Sequence, residues 1–172
     1  HIRLQLSIGR YIIKDKQLSF SDIMNKALLA RRTVKGRYNV SLAYYNGKMQ
    51  KQIQEEQHII SRMDFVLSSH QFEVWLQPKY NHETGAMIGA EALVRWNSSE
   101  HHVMIPPNVF IPVFERNGFI YELDKYVWNE VCKMLRKWLD EGTCTLPISI
   151  NVSRMDILQS DVYEVLTGLV EK

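Results

Sequence analysis

Extended and helical segments alternate along most of this 172-residue chain, which predicts an α/β protein. Two further observations divide it. A tight polar turn at Asn81-His82-Glu83-Thr84-Gly85 joins two extended runs, so those strands pair antiparallel before strand–helix alternation resumes. Charge also changes along the chain. Residues 1–50 hold ten Lys/Arg and two Asp/Glu, a balance of +8, while residues 51–172 hold eleven and seventeen, a balance of −6; together they give the net +2. The expectation is therefore the end of one α/β domain, a connecting helix, and the start of a parallel-sheet or barrel domain.

In chain order, Ile2, Leu4, Leu6 and Ile8 alternate with polar residues before Gly9, the period of a half-buried strand. Ser21 and Asp22 offer N-caps for a helix with Ile23, Ala27, Leu28 and Ala30 inward, stopping at Lys35-Gly36. Val40 to Tyr45 reads as a strand. Strand, helix and strand cannot close a domain alone, so residues 1–47 are read as the C-terminal part of a larger unit. Residues 48–71 are the connector, an amphipathic helix that presents Met49, Ile53, Ile60, Met63 and Leu67 on its apolar side. Phe72 to Tyr80 and Ala86 to Trp96 form the hairpin. Pro106-Pro107 precedes a helix from Asn108 to Asn117, terminated by Gly118. Asp124 to Glu141 is a longer helix burying Val127, Val131, Leu135 and Leu139, closed by Gly142. Leu146 to Val152 is a strand with Ile148, Ile150 and Val152 on one face. Ser153 caps a last helix that reaches Lys172.

Composition excludes several classes. With 45% hydrophobic residues and a mean hydropathy of −0.24, the chain is neither disordered nor fibrous. No run approaches the roughly 18 apolar residues of a membrane span, and no leader opens the chain. Cys132 and Cys144 suit free thiols in a reducing cytoplasm, Cys132 in a core and Cys144 inert. The basic residues near the start are interleaved with patterned apolar ones, so the charge shift marks a domain boundary and not an arm for a nucleic acid polymer. His1 in place of Met is the expected mark of an excerpt from a longer protein. His101-His102 read as loop residues, Arg31-Arg32 with Lys35 as a solvated helix end, and the four tryptophans as packing residues.

The informative segment is Ala90-Glu91-Ala92-Leu93-Val94-Arg95-Trp96. Glu91, Leu93 and Arg95 share one strand face, because side chains repeat every second residue. An acid and a base on such a face require pairing or a ligand. A structural Glu–Arg pair satisfies this; so does a carboxylate for a divalent cation beside a guanidinium for a phosphate. Spacing alone does not choose.

Four motifs do point one way. Phe72 to Tyr80 (FEVWLQPKY), Gly89 to Trp96 (GAEALVRW), Phe110 to Gly118 (FIPVFERNG) and Ile148 to Ser153 (ISINVS) resemble, in order and spacing, the successive motifs of EAL domains. Upstream, Leu6-Ser7-Ile8-Gly9 and Lys35-Gly36-Arg37-Tyr38-Asn39 resemble the last part of a GGDEF domain. The resemblance implies a modified TIM barrel with one antiparallel strand near its start, of which residues 72–172 are the first part, and a cyclic di-GMP phosphodiesterase that yields linear pGpG. It also implies Mg²⁺ or Mn²⁺ as cofactor, with Glu91 and Asn151 as metal ligands and catalytic residues. Arg95 then contacts a substrate phosphate, Gln77 and Leu93 line the dinucleotide pocket, and Glu115 lies near the substrate. A cytoplasmic bacterial protein that dimerises through EAL domains, without membrane contact from this segment, is the implied setting. The alternative within the family is an inactive cyclic di-GMP receptor or interaction scaffold. From Phe72 the chain runs 101 residues, against the roughly 250 of a complete barrel, so half of the site, and no activity on its own, is expected of it.

Overall fold

The computed structural model describes residues 6–36, 39–100, 103–143, 146–159 and 161–171. The expectations for Ile2, Leu4, Arg37, Tyr38, His101, His102, Cys144 and Lys172 lie outside them. The chain forms two units, residues 1–58 and 59–172. Among the described residues, no helix is long and apolar enough to cross a membrane.

In the first unit, β1 (Ile8–Arg10) and β2 (Leu42–Tyr44) pair in parallel, joined by α1 (Phe20–Val34). Parallel pairing requires a crossover, and α1 is that crossover. Gly9 lies inside β1 and not at its end, because a methyl group there would fall on the Ala27 carbonyl of α1. The helix begins one turn corner earlier than Ser21 and Asp22 suggest. Ser19 is the N-cap, its hydroxyl accepting from the Asp22 amide at 3.1 Å. Ala30 and Val34 are buried, whereas Leu28, expected inward, is exposed. The helix α2 (Gly47–Ser68) covers most of residues 48–71.

The second unit is built around one long strand. β4 (Met87–Ser98) pairs antiparallel with β3 (Phe72–Tyr80) along one edge, in the register Phe72–Trp96, Trp75–Leu93 and Gln77–Glu91. Its other edge is shared by β5 (Val103–Ile105), antiparallel, and β6 (Ile148–Ser149), parallel. β5 has no counterpart in the expectations. Asn81 folds the hairpin turn, its side-chain oxygen accepting from the amides of Glu83 and Thr84.

Alternation then decides which face is covered. Ala92 and Trp96 turn into the core with Phe72, against α3 (Pro107–Asn117) and α4 (Ile120–Glu141). Phe72, Trp96, Phe110, Phe114 and Phe119 form one aromatic cluster, their ring centroids 5.0–6.5 Å apart. α4 starts at Ile120, four residues before Asp124, and Ile120, Leu123, Val127 and Val131 make its buried stripe. Leu139 is half exposed and does not join it. Gly118 and Gly142 stop the two helices in the left-handed conformation.

The chain end differs most from expectation. β6 is two residues long and not seven, and Val152 is exposed. The single last helix is two: α5 (Arg154–Gln159) and α6 (Val162–Val170). Asp161 separates them, its carboxylate accepting from the amides of Tyr163 and Glu164 and so starting a new helix.

Phe114→Ala is expected to lower stability by about 3–5 kcal/mol, since it opens a cavity in the aromatic cluster. Leu139→Ala is expected to cost less than about 1 kcal/mol. Urea denaturation of both variants checks the assignment of core and surface.

Candidate active site

The middle of β4 and the end of β6 bring two of the expected residues together. β6 lies beside β4 with Ser149 opposite Glu91, and the chain leaving β6 carries Asn151. The Asn151 side-chain nitrogen lies 3.4 Å from Glu91 Oε1 and 3.5 Å from the Ala92 carbonyl. Its main chain is fixed from behind, where the indole N–H of fully buried Trp128 donates to the Asn151 carbonyl at 3.0 Å. Gly89 permits the close approach of the two strands. A methyl group at that position would stand 2.7 Å from the Pro147 carbonyl oxygen.

Leu93, Arg95, Glu115 and Asn151 line one cleft of about 340 Å³. Glu91 does not line it and joins through Asn151. Gln77 is exposed beside Glu91 on the neighbouring strand, also outside the cleft. The Arg95 guanidinium donates to the Val94 carbonyl at 2.8 Å and stands over the Trp75 ring, 5.7 Å from its centroid. Glu91 and Arg95 are therefore not a simple mutual pair.

Sequence reasoning missed three partners. Lys79 Nζ donates to Ser149 Oγ at 2.9 Å and lies 3.8 Å from Glu91 Oε2, so each Glu91 oxygen has its own neighbour. Lys79 stands two residues from Gln77, and strand alternation would have found it. Asp124 lines the cleft from α4 and Asp156 is fully buried in α5. Asp156 and Ser153 cap α5 reciprocally: the Ser153 amide donates to the Asp156 carboxylate, and the Asp156 amide to Ser153 Oγ. Asp124 is four residues from both Ile120 and Trp128, so a carboxylate on the buried stripe was the available signal.

Burial, first, and then the adjoining Asp156 carboxylate push Asp124 up to about 8. The shift favours the neutral form of Asp124 beside Asp156. Among the described residues, no group of three or more His, Cys, Asp and Glu side chains could hold a metal ion. Glu91 carries two carboxylate oxygens and Asn151 an amide oxygen, the Asn151 nitrogen being the atom turned to Glu91 here; such donors fit part of a divalent-cation shell.

The EAL domain profile matches residues 58–172, and the chain belongs to that family. It is 27% identical over 163 residues to the bifunctional diguanylate cyclase/cyclic di-GMP phosphodiesterase MucR of Pseudomonas aeruginosa, covering 95% of this chain and 24% of that protein. It is 30% identical over 117 residues to the cyclic di-GMP phosphodiesterase PdeL of Escherichia coli, covering 67% of this chain and 32% of that one. Among solved structures, the MucR phosphodiesterase in complex with cyclic di-GMP superposes with a TM-score of 0.61 at 29% identity, over 66% of this chain and 46% of that one. The EAL enzyme Bd1971 shares the fold over 90% of this chain, with a TM-score of 0.60. The chain spans about a quarter to a third of the length of these two curated relatives.

A carboxyl group whose pKa is raised on folding binds its proton more tightly in the native state. Between about pH 4 and about pH 8 the native protein therefore holds more protons than the unfolded chain, and stability falls as pH rises through that window. Asp124→Asn is expected to flatten this slope and to be more stable than the wild type at about pH 9. Urea midpoints at about pH 5, 7 and 9 measure both effects.

Proposed function

We propose that this chain is part of a cyclic di-GMP phosphodiesterase, in which water cleaves one phosphodiester P–O bond and the product is linear pGpG. The observation that carries the reading is the contact between Glu91, inside β4, and Asn151, just past the end of the parallel-paired β6, with Arg95 on the adjoining cleft. The names of MucR and PdeL, and the cyclic di-GMP bound to MucR, support the same substrate. Residues 1–47 are read as the end of a GGDEF-like domain, 48–71 as the interdomain helix, and 72–172 as the first part of an EAL barrel. The parallel β1–α1–β2 unit is consistent with that division. The setting is cytoplasmic and the assembly a homodimer through EAL domains.

The Glu91 carboxylate and the Asn151 amide oxygen would hold Mg²⁺ or Mn²⁺. A bound divalent ion supplies a water of lowered pKa and neutralises charge on the phosphodiester. The chain's own residues do the rest. Lys79 and Ser149 steady the far oxygen of Glu91, and Trp128 fixes the main chain that presents Asn151. Arg95 offers charge-assisted hydrogen bonds to a phosphate oxygen. Leu93 and Gln77 contribute apolar and amide contacts to the dinucleotide, and Glu115 reaches it from α3.

In the full-length protein, Glu91→Ala is expected to abolish production of pGpG while leaving the fold intact, as read by chromatography and circular dichroism. Arg95→Ala is expected to weaken cyclic di-GMP binding about 10- to 100-fold and to leave Mn²⁺ binding nearly unchanged. A wild type that binds cyclic di-GMP with Mg²⁺ or Mn²⁺ present, yet makes no pGpG, would identify a receptor instead.

A further inference from the structure

Trp75 is 51% exposed on the same sheet face as Gln77, Glu91 and Arg95. The indole N–H donates to Glu73 Oε2 at 2.9 Å, and the Asn97 amide nitrogen donates to Glu73 Oε1 at 2.8 Å. These two hydrogen bonds hold the Glu73 carboxyl below its ordinary range. Glu73 stands directly opposite Arg95 in the β3–β4 register, where an ion pair would be the ordinary outcome. The carboxylate is instead engaged by Trp75 and Asn97, and Arg95 turns its guanidinium over the indole face.

We infer that Trp75 is a positioning residue for Arg95. Its N–H diverts Glu73, and its ring fixes the guanidinium plane so that Arg95 keeps its positive charge for a phosphodiester. An indole face attracts a guanidinium without neutralising it, unlike a carboxylate. Asn97 completes the device by taking the second oxygen of Glu73. The inference rests on the proposed phosphodiesterase function and adds a residue to which that function gives no role.

The test uses the full-length protein with cyclic di-GMP and Mg²⁺. Trp75→Leu removes the ring face and is expected to raise KM about 10-fold with kcat within about 2-fold of wild type. Trp75→Phe keeps a ring face and is expected to recover most of the lost affinity. In the double variant with Arg95→Ala, Trp75→Leu should add little, because both changes remove one interaction. Independently of turnover, the Arg95 side-chain N–H resonance should show an upfield ring-current shift in the wild type and in Trp75→Phe, and lose it in Trp75→Leu. Unchanged KM in Trp75→Leu, full additivity with Arg95→Ala, or no ring-current shift in the wild type overturns the inference alone. A wild type that shows the shift but neither binds nor cleaves cyclic di-GMP overturns the functional reading, and with it the role of Trp75 in phosphate binding.

Discussion

Strand β4 is the constraint on which the second unit depends. It is bonded along both edges, to β3 on one side and to β5 and β6 on the other, so its register fixes where three other strands lie. Alternation along β4 then separates two tasks. Trp96 buries itself in the aromatic cluster and Ala92 against Val127 and Val131, and Glu91, Leu93 and Arg95 occupy the opposite face. A one-residue slip would exchange the faces, burying an acid and a base and exposing Trp96. The aromatic core therefore holds the polar face in place, even though none of its rings touches the Glu91–Asn151 pair.

Several polar residues on the site face are engaged by neighbours. Lys79 and Asn151 bracket the two Glu91 oxygens; Asn97 and Trp75 occupy Glu73; Arg95 is left against an aromatic ring. Behind the cleft, burial and the adjoining Asp156 carboxylate raise the pKa of Asp124. The Trp128–Asn151 bond joins α4 to the segment after β6. The two-residue strand thus gains support from outside the sheet.

The hairpin was legible because its signals are local and redundant. A nine-residue run, a polar turn and a second long run place Phe72–Tyr80 and the Glu91-Leu93-Arg95 face correctly to within a residue or two. Shorter elements depended on partners that local pattern does not report. Ile148, Ile150 and Val152 alternate like a strand, but only Ile148 and Ser149 meet β4 before the chain turns toward the Trp128 indole. Ser19 outcompetes Ser21 as a cap because its hydroxyl reaches the Asp22 amide. Leu139 continues the four-residue spacing of α4 yet is half exposed, whereas its neighbour Trp138 faces the sheet with Leu76, Pro78 and Ile148. Among site residues, the four motifs located Leu93, Arg95, Glu115 and Asn151 at one cleft, whereas Lys79 and Asp124 act through tertiary neighbours. A polar residue at an inward position, as Asp124 is, was the one trace they left in the sequence.

The close parallel approach of β6 to β4 brings together Glu91 and Asn151, which we propose as a cation-binding pair. Gly89→Ala tests this proposal most directly, because it leaves every proposed ligand in place and forces the Pro147 main chain away from β4. Mn²⁺ titration of the full-length protein, followed by electron paramagnetic resonance, should show affinity reduced about 10-fold or more with secondary structure retained. Mn²⁺ affinity equal to wild type in that variant would contradict the account.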